Sequence, residues 1–511
     1  MLALALLGAC GTLPGQVDRP VSHGIQAAPA QSRLARVAEA SLPQGAPSAF
    51  RLLPFGVHAL DARLALIEGA SRSIDLQVYI MANDASGRAV FAALRDAAAR
   101  GVRVRLLLDD LSTTGAEELI EALAALPNFE IRLFNPFCCL RDSFAGRLLS
   151  SLGDARRLNH RMHNKLLVAD GALAIFGGRN IADEYFGLDP RANFIDLDAI
   201  AAGRVVPQFG DIFDRYWNSE DAFPVAAVTG RRIAGAQAEA TLARLLPAHA
   251  ARIDLGPPET DLLGRGPVGT ELAAGRLSLL PAVAYAVADR PTKRQETPED
   301  LEFGSLRAGA EANMLGTRSD LVVVSPYLVP GRRGMAMLQS LQLKGVDMTV
   351  VTNSLTATDA PLVYFGYARY RVGIAKAGVR LYEISADPRP SGGGKSVFGG
   401  SSRGRLHAKL VVIDHQTLLL GSLNLDPRSA RENTEVGAAI DSPALAQEAL
   451  RIIDAMKAEA YRVRLDAADG MLSWVPPSED DDQALDEEPG VSPLNALERL
   501  LLRPLVPEDQ L

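Results

Sequence analysis

The chain has 511 residues, with 53 Lys and Arg against 61 Asp and Glu, and so a formal net charge of −8 at pH 7. Its 48% hydrophobic and 22% charged residues are typical of a globular protein and exclude a wholly disordered chain. The acidic balance disfavours a dedicated nucleic-acid binder, three cysteines cannot form a disulfide framework, and no His and Cys cluster has the spacing of a zinc site.

Residues 1–45 have the pattern of a leader followed by a tether. An apolar run over Leu2–Leu7 continues into Gly8-Ala9-Cys10, which resembles a bacterial lipoprotein cleavage box with Cys10 as the lipidated residue. No Lys or Arg precedes this run, so a simple apolar tail is the alternative. The rest of the segment is rich in Pro, Gly, Ala and Gln, and we expect ordered structure to begin near Ser48. No later stretch approaches the roughly 20 apolar residues of a spanning helix.

The first predicted domain covers residues 46–225 and contains a strand–helix–strand unit. Periodicity predicts helices over Ala59–Gly69 and Gly87–Gly101. The alternating segment Ser73–Ile80 and the apolar segment Val102–Leu108 are typical of strands. A connector at residues 226–310 follows, with Arg- and Ala-rich helical segments and a charged stretch over 288–307.

The second predicted domain, residues 311–465, repeats this unit. A strand is predicted at Leu321–Val324, a helix at Gly334–Gly345 and a second strand at Val346–Thr352. A repeat of this length indicates two copies of one α/β unit, each with a mixed sheet flanked by helices.

Two basic or amphipathic segments could meet a ligand or a membrane. The stretch 386–405 is rich in Gly, Ser and basic residues and is either a mobile loop at the mouth of the site or a disordered insertion. The tail, residues 466–511, combines an acidic linker over 478–489 with a leucine-faced helix over 494–502. That helix either docks on the protein or lies in a membrane interface.

The most specific pattern of the chain is a motif that occurs twice. It is His163-x-Lys165-x4-Asp170 in the first domain and His407-x-Lys409-x4-Asp414 in the second, at an offset of 244 residues, followed by Gly177-Gly178-x-Asn180 and by Gly421-Ser422-x-Asn424 at the same offset. Two matched copies with matched extensions indicate a duplicated half-site rather than a chance pattern.

The spacing of the motif predicts its local geometry. In a strand, residues i and i+2 face the same side, so the His and Lys of each copy point into one pocket. The glycines that follow permit a close approach of backbone or ligand, and Gly178, Ser422 and the two Asn are candidates for phosphate binding and support. We include Asp170 and Asp414 in the candidate catalytic set as the last residues of the motif, and expect them to bond backbone or Lys beneath the pocket.

Two imidazoles and two ammonium groups in one cleft suit phosphodiester chemistry without a metal. Lys165, Lys409 and the two Asn supply donors for the charged oxygens of the transition state. One neutral His can attack phosphorus, and the other, protonated, can donate to the departing alkoxide. Asp196 and Glu435, which lie 33 residues after His163 and 28 after His407, are the predicted orienters of the imidazoles, with Asp198 as the competitor of Asp196.

The chain resembles the phospholipase D superfamily, whose members carry two such motifs at a pseudo-twofold interface. The likeness covers about residues 50–465, and within the superfamily it is nearest to the bacterial cardiolipin synthase C type. It rests on the motifs and on the strings at 159–165, 177–186, 213–219 and 421–430. The resemblance implies two tandem phospholipase D-like α/β domains related by pseudo-twofold symmetry, with no cofactor and no metal. It also departs from other types of cardiolipin synthase, which have two amino-terminal membrane helices that this chain lacks.

The resemblance also implies a function. It implies transfer of a phosphatidyl group from phosphatidylglycerol and a second phospholipid to give cardiolipin at a membrane surface of the bacterial cell envelope, with His163 as nucleophile and His407 as acid. Hydrolysis to phosphatidic acid by a phospholipase D uses the same residues and stays open. A nuclease is disfavoured by the acidic balance, and a non-enzymatic lipid-binding lipoprotein by the presence of every catalytic residue in both halves.

Overall fold

The computed structural model describes residues 13–141, 143–150, 152–247, 253–256, 259–386, 403–466, 468–477 and 484–490. Several sequence-based predictions fall outside these ranges and stay predictions. They are the lipidation box at Cys10, the tail helix at 494–502, the first half of the acidic linker and most of the basic loop at 386–405.

Within the described ranges, nineteen strands occur, numbered in chain order. They are β1 Ser48–Leu53, β2 Ser73–Val78, β3 Arg103–Asp109, β4 Phe129–Phe134, β5 Leu166–Ala169, β6 Leu173–Gly177, β7 Ala192–Ile195, β8 Asp198–Gly203, β9 Ala222–Pro224, β10 Leu280–Ala288, β11 Asp320–Val324, β12 Asp347–Asn353, β13 Arg380–Ile384, β14 Arg403–Leu406, β15 Leu410–Ile413, β16 Thr417–Gly421, β17 Val436–Asp441, β18 Ala460–Leu465 and β19 Leu472–Val475.

The same ranges contain seventeen α-helices. They are α1 Arg33–Ser41, α2 Gly56–Gly69, α3 Ala85–Ala99, α4 Glu117–Ala124, α5 Phe144–Ser150, α6 Ala155–Asn159, α7 Val205–Trp217, α8 Val225–Thr229, α9 Gly235–Leu245, α10 Val268–Ala273, α11 Pro298–Gly304, α12 Leu306–Leu315, α13 Gly331–Leu343, α14 Pro361–Ala368, α15 Arg371–Lys376, α16 Pro427–Arg431 and α17 Pro443–Lys457. None of these described helices is both long enough and apolar enough to cross a membrane.

The strands form two mixed sheets with the same order, joined edge to edge. The first sheet runs β9-β4-β3-β2-β5-β6-β8-β1, and the second runs β18-β13-β12-β11-β15-β16-β17-β10, with β19 added beside β18. They meet where β1 pairs antiparallel with β10, through Ser48↔Ala282 to Phe50↔Leu280. This order confirms the predicted α/β class, with two equivalent domains related by a pseudo-twofold axis.

The two domains share one central core. It packs the inner faces of both sheets around the long helices α7 and α17, and Phe50 and Phe209 of the first domain lie in one buried cluster with Val412 and Ile452 of the second. Each domain adds an outer core beneath its own helices. The shared core holds the two domains together, which is the arrangement that joins the two motifs.

The predicted repeat units are confirmed with small shifts at their ends, and among the elements that were not predicted are helix α1 and strand β10. Order begins before Ser48, because helix α1 buries Leu34 and Val37 against the first outer core and is capped by the side chain of Ser32. Strand β10, within the predicted connector, is the counterpart of β1. Its sequence Leu280–Ala288 is short of polar residues on either face, which hid its alternation.

The last residue of each motif anchors a tight turn far from the imidazoles. Asp170, at φ +54°, accepts hydrogen bonds from the backbone N–H groups of Ser71, Arg72 and Ser73 and from the hydroxyl of Ser32. Asp414, at φ +51°, accepts the corresponding N–H groups of residues 318–320. Both carboxylates therefore fix the entry into the neighbouring strand, β2 or β11.

We expect these two carboxylates to affect stability unequally. Asp170 is fully buried whereas Asp414 is partly exposed, so Asp170→Asn should lower the free energy of unfolding by about 3 kcal/mol and Asp414→Asn by about 1 kcal/mol. Asn tolerates the left-handed backbone, which limits added strain. Urea unfolding measures the change. A loss of kcat in the folded protein, at unchanged stability, would contradict this structural role.

Candidate active site

The candidate active site lies where the two motifs meet at the starts of β5 and β15. His163 and Lys165 precede β5, and His407 and Lys409 precede β15. All four side chains are buried, with exposed fractions of 2–6%. The structure thus brings the two predicted His and Lys pairs into one water-poor pocket, where charges interact strongly.

Backbone pairing between the domains sets the position of each histidine. Strand β14, which ends just before His407, pairs parallel with β7 of the first domain, and the His407 N–H donates to Ile195 O at 2.8 Å. The His163 N–H donates to Thr434 O at 2.9 Å. Each histidine is therefore held beside the residue that precedes the predicted acid of the other domain.

The carboxylates are consequently exchanged between the domains. Glu435 Oε2 lies 2.9 Å from His163 Nδ1, and Asp196 Oδ2 lies 2.6 Å from His407 Nδ1. The sequence identified both acids as candidates but did not assign which imidazole each would meet. The competing carboxylate of Asp198 lies elsewhere, at 3.0 Å from Arg63 and 3.4 Å from Arg179. With Nδ1 engaged in both rings, Nε2 is the nitrogen left for chemistry.

The electrostatic surroundings differ between the two imidazoles. Burial lowers the pKa of His163 well below its usual value, and the ammonium groups of Lys165 and Lys409 lower it further. Burial and Lys409 also lower the pKa of His407, but there the carboxylate of Asp196 acts in the opposite direction. The neutral form is thus favoured at both imidazoles and most strongly at His163, whereas Asp196 partly offsets this effect at His407.

The pKa values of the two acids are shifted in opposite directions. The pKa of Asp196 is lowered: burial opposes ionisation but is outweighed by His407, the hydrogen bond to it and Lys409. Burial raises the pKa of Glu435 to about 7, although Lys165 and the hydroxyls of Ser422 and Ser429 favour its charge. Asp196 is therefore the firmer anion of the two.

Gly178 and Ser422 contact these acids. A Cβ atom at Gly178 would lie 2.0 Å from Asp196 Oδ1, so only glycine leaves room for that carboxylate. At the equivalent position, the Ser422 hydroxyl donates to Glu435 Oε2 at 2.5 Å, and the Ser429 hydroxyl donates to Oε1 at 2.8 Å. Both residues support the orienting carboxylates, and their predicted contact with phosphate stays a prediction.

The two asparagines are not equivalent. Asn180 uses both ends of its amide, accepting from Ile80 N at 3.1 Å and donating to the Tyr185 hydroxyl at 2.8 Å. Asn424 is equally buried, yet its Oδ1 has no hydrogen-bond partner among the residues that the structure describes. Asn424 is thus the one whose amide is incompletely engaged, whereas Asn180 braces the loop after β2.

Three aromatic rings line the pocket. The sequence analysis did not identify them as site residues. Tyr79 lies edge-on to His163 at 5.0 Å between ring centroids, and Tyr185 lies edge-on to His407 at 5.1 Å. Phe194 lies 5.0 Å from His407. Tyr79 directly follows the carboxyl end of β2. That position was the only feature of the sequence that could have identified Tyr79 as a site residue. These rings pack against both imidazoles and limit their orientations.

Both lysines have pKa values within the working range of many enzymes. Burial lowers the pKa of Lys165 to about 7 and that of Lys409 to about 8, against the raising effect of the nearby carboxylates. Lys165 Nζ donates to His163 O at 2.7 Å, and Lys409 Nζ donates to His407 O. Each ammonium is therefore fixed beside the imidazole of its own motif.

These lysines predict an alkaline loss of activity. As pH rises from about 7 to above 8, the two ammonium groups lose their protons, and attraction for an anionic phosphodiester weakens. We expect kcat/KM to fall across that interval while the phosphodiester itself stays ionised. A short-chain phospholipid below its critical micelle concentration removes effects of pH on the lipid surface. A flat profile from pH 7 to 9 would contradict the assigned lysine role.

A search of the described residues for a metal centre finds no group of three or more His, Cys, Asp or Glu side chains that could hold an ion. Independence of the reaction from a metal ion stays a prediction.

Comparisons with known proteins identify relatives of the chain. The family model described as "Cardiolipin synthase, PLD-like domain" matches residues 64–217 and 312–457. The chain is 38% identical to cardiolipin synthase C of Escherichia coli (strain K12), over 89% of this chain and 96% of that protein. It is 27% identical to a cardiolipin synthase of Geobacillus kaustophilus (strain HTA426), over 78% of this chain and 63% of that protein.

A solved structure shares the whole fold. The phosphatidylserine synthase of Haemophilus influenzae Rd KW20 superposes over 92% of this chain and 96% of its own, with a TM-score of 0.58 and 14% identity. The identity is too low to carry function, but the coverage shows that the tandem arrangement is common to both chains. The predicted domain boundaries at 46–225 and 311–465 bracket both family matches and otherwise stay predictions.

Proposed function

Because the chain belongs to the cardiolipin synthase phospholipase D-like domain family, we propose that it transfers a phosphatidyl group between two phospholipids to form cardiolipin. One observation of the site carries the proposal: two imidazoles, each held at Nδ1 by a carboxylate of the opposite domain, lie among two buried ammonium groups. That arrangement suits two successive displacements at one phosphorus atom.

The first displacement forms a covalent intermediate. Nε2 of neutral His163 attacks the phosphorus of phosphatidylglycerol, so an N–P bond forms and the P–O bond to the headgroup glycerol breaks. His407, protonated and paired with Asp196, gives its Nε2 proton to the departing alkoxide. Glycerol leaves, and the phosphatidyl group stays on His163.

The second displacement reverses these roles. Neutral His407 removes the proton from the hydroxyl of an acceptor phospholipid, whose oxygen attacks phosphorus as the N–P bond breaks. The product is cardiolipin, and both imidazoles return to their initial protonation states. Water as acceptor would give phosphatidic acid instead, so exclusion of water decides between transferase and hydrolase. The aromatic walls formed by Tyr79, Tyr185 and Phe194 favour the transferase.

Lys165, Lys409 and Asn424 stabilise the charge that develops on the non-bridging oxygens. The ammonium groups are buried, so their attraction for a phosphate is weakly screened. Asn424 is buried beside the second motif, and its Nδ2 amide group is the end that can donate to a phosphate oxygen. These fixed donors favour the five-coordinate transition state over the substrate.

The substrate places the enzyme at a membrane surface of the bacterial cell envelope. We infer that lipidation of Cys10, which lies outside the described residues, anchors it there. The Cys10→Ala variant should move from the membrane to the soluble fraction while its activity on short-chain lipid is unchanged. Retention of the variant on the membrane would exclude Cys10 as the main anchor.

Incubation with vesicles of labelled phosphatidylglycerol tests the function directly. Cardiolipin and free glycerol in equal amounts would support transfer. Phosphatidic acid as the sole product would show a hydrolase with the same covalent step, and the absence of any product would contradict both. Adding EDTA should leave the rate unchanged. A loss with EDTA that a divalent ion restores would refute the metal-free mechanism.

A further inference from the structure

The second domain contains an apolar pocket that reaches the candidate active site. Its volume is about 340 Å³, which is within the usual range for small-molecule sites. Strands β10, β15, β16 and β17 form one wall, and helix α12 covers it. Lys409 lines the pocket together with Leu423 and Leu425, the residues on either side of Asn424. The pocket therefore borders Lys409 of the second motif, whereas His407 and Asn424 are not among the residues that line it.

Two adjacent glycines form the floor of this pocket. Val287 of β10 pairs with Gly437 of β17, which pairs with Gly421 of β16, and the Gly421 N–H bonds to Lys409 O at 3.4 Å. Directly paired residues face the same side of a sheet. The row from Val287 to Lys409 thus crosses two glycines that line the pocket, where β16 and β17 approach so closely that a Cβ atom at Gly421 would lie 2.3 Å from Val436 O.

The corresponding row of the first domain is filled. There Leu53 pairs with Asp198, and Asp198 pairs with Gly177. The Asp198 carboxylate occupies the position of Gly437 and bonds to Arg63 of helix α2 at 3.0 Å. The pseudo-twofold repeat therefore closes this space in one domain with an ion pair and opens it in the other.

The pocket borders an apolar surface, because Val287 lines the pocket and is itself exposed. Val283, Tyr285 and Val287 alternate on the outer face of β10, and their exposed fractions are 49%, 64% and 40%. Their counterpart strand β1 is buried along its whole length. Exposed apolar side chains in a row beside an apolar pocket are typical of a binding surface.

We propose that this pocket holds an acyl chain of a phospholipid substrate, so that the second domain binds the lipid by its chain as well as by its phosphate. The inference rests on the proposed function. A phosphate at Lys409 places the attached glycerol beside the glycine floor, and a chain that extends along it reaches Val287 and the exposed face of β10.

A side chain added at Gly309 tests the proposal. Gly309 lines the pocket from helix α12, and a Cβ atom there meets no atom within 4 Å, so Gly309→Leu fills the space without a clash. The matched control is Ala312→Leu, an exposed position of the same helix outside the pocket. The assay compares kcat/KM for dioleoyl phosphatidylglycerol with kcat/KM for the dihexanoyl lipid, in mixed micelles.

Gly309→Leu should lower the ratio of long-chain to short-chain kcat/KM by about tenfold. A loss of this size is expected when roughly two methylene groups of the acyl chain are no longer buried. Ala312→Leu should leave the ratio unchanged. An unchanged ratio in Gly309→Leu would overturn the pocket assignment even though the enzyme is active. A wild-type protein without activity on either lipid would instead overturn the proposed function.

Cross-linking tests the pocket without turnover. A phosphatidylglycerol with a diazirine at the end of one acyl chain should label residues of α12 and β17 in the wild type, and Gly309→Leu should lose this label. Labelling of other surfaces alone would refute the proposal. The same experiment remains informative for a protein that binds phospholipids but does not turn them over.

Discussion

His163→Ala should abolish both turnover and the covalent step, whereas His407→Ala should abolish turnover of lipids but retain the covalent step on an activated substrate. We expect losses of about 10⁴-fold in kcat for natural lipids in both variants, because each histidine acts in both displacements. An aryl phosphodiester needs no acid for departure of its leaving group. His407→Ala should therefore still release one equivalent of nitrophenolate in a burst, and His163→Ala should release none.

The assignment of roles follows from the charges around each ring. His163 is the imidazole whose neutral form is most strongly favoured, and His407 is paired with the firmer anion, Asp196. A burst in His163→Ala and none in His407→Ala would reverse the roles. Substantial lipid turnover in either single variant would contradict a two-histidine mechanism. His23→Ala, at a largely exposed histidine, is the matched control and should keep full activity.

Much of this site is predictable from sequence because the repeat is a local pattern. The His and Lys of each motif share a strand-like segment, so their common direction follows from a period of two. The offset of 244 residues identified the second copy of each group. The α/β class followed from the same repeat units, because a strand, a helix and a second, parallel strand determine most of the sheet of one domain.

What the sequence did not reveal depends on contacts between the two domains. The exchange of Asp196 and Glu435 results from the pairing of β14 with β7 and of His163 with Thr434, partners that lie more than 200 residues apart. The unequal roles of Asn180 and Asn424 likewise depend on neighbours, since a tyrosine hydroxyl and a backbone N–H occupy only the first. Identical motifs therefore do not imply identical half-sites.

The exchange of carboxylates predicts how variants of the acids should behave. Asp196→Asn should resemble His407→Ala, with lipid turnover reduced by about 10²- to 10⁴-fold and the aryl burst retained, because His407 loses the anion that supports its proton. Glu435→Gln should instead slow the burst itself, because it removes the carboxylate that orients His163 for attack. Rapid-quench measurement of the burst, beside steady-state turnover of lipid, separates these two effects.

The decisive outcome is which step each acid affects. If each acid served the histidine of its own domain, Asp196→Asn would slow the burst and Glu435→Gln would spare it, the reverse of the pattern expected here. Glu432→Gln, three residues before Glu435 on the same loop, is the matched control and should change neither step. Addition of Asp196→Asn to His407→Ala should cause little further loss, since both changes remove one unit. A fully additive loss would show that Asp196 acts on something other than His407, and the exchanged pairs would then be only a structural link between the domains.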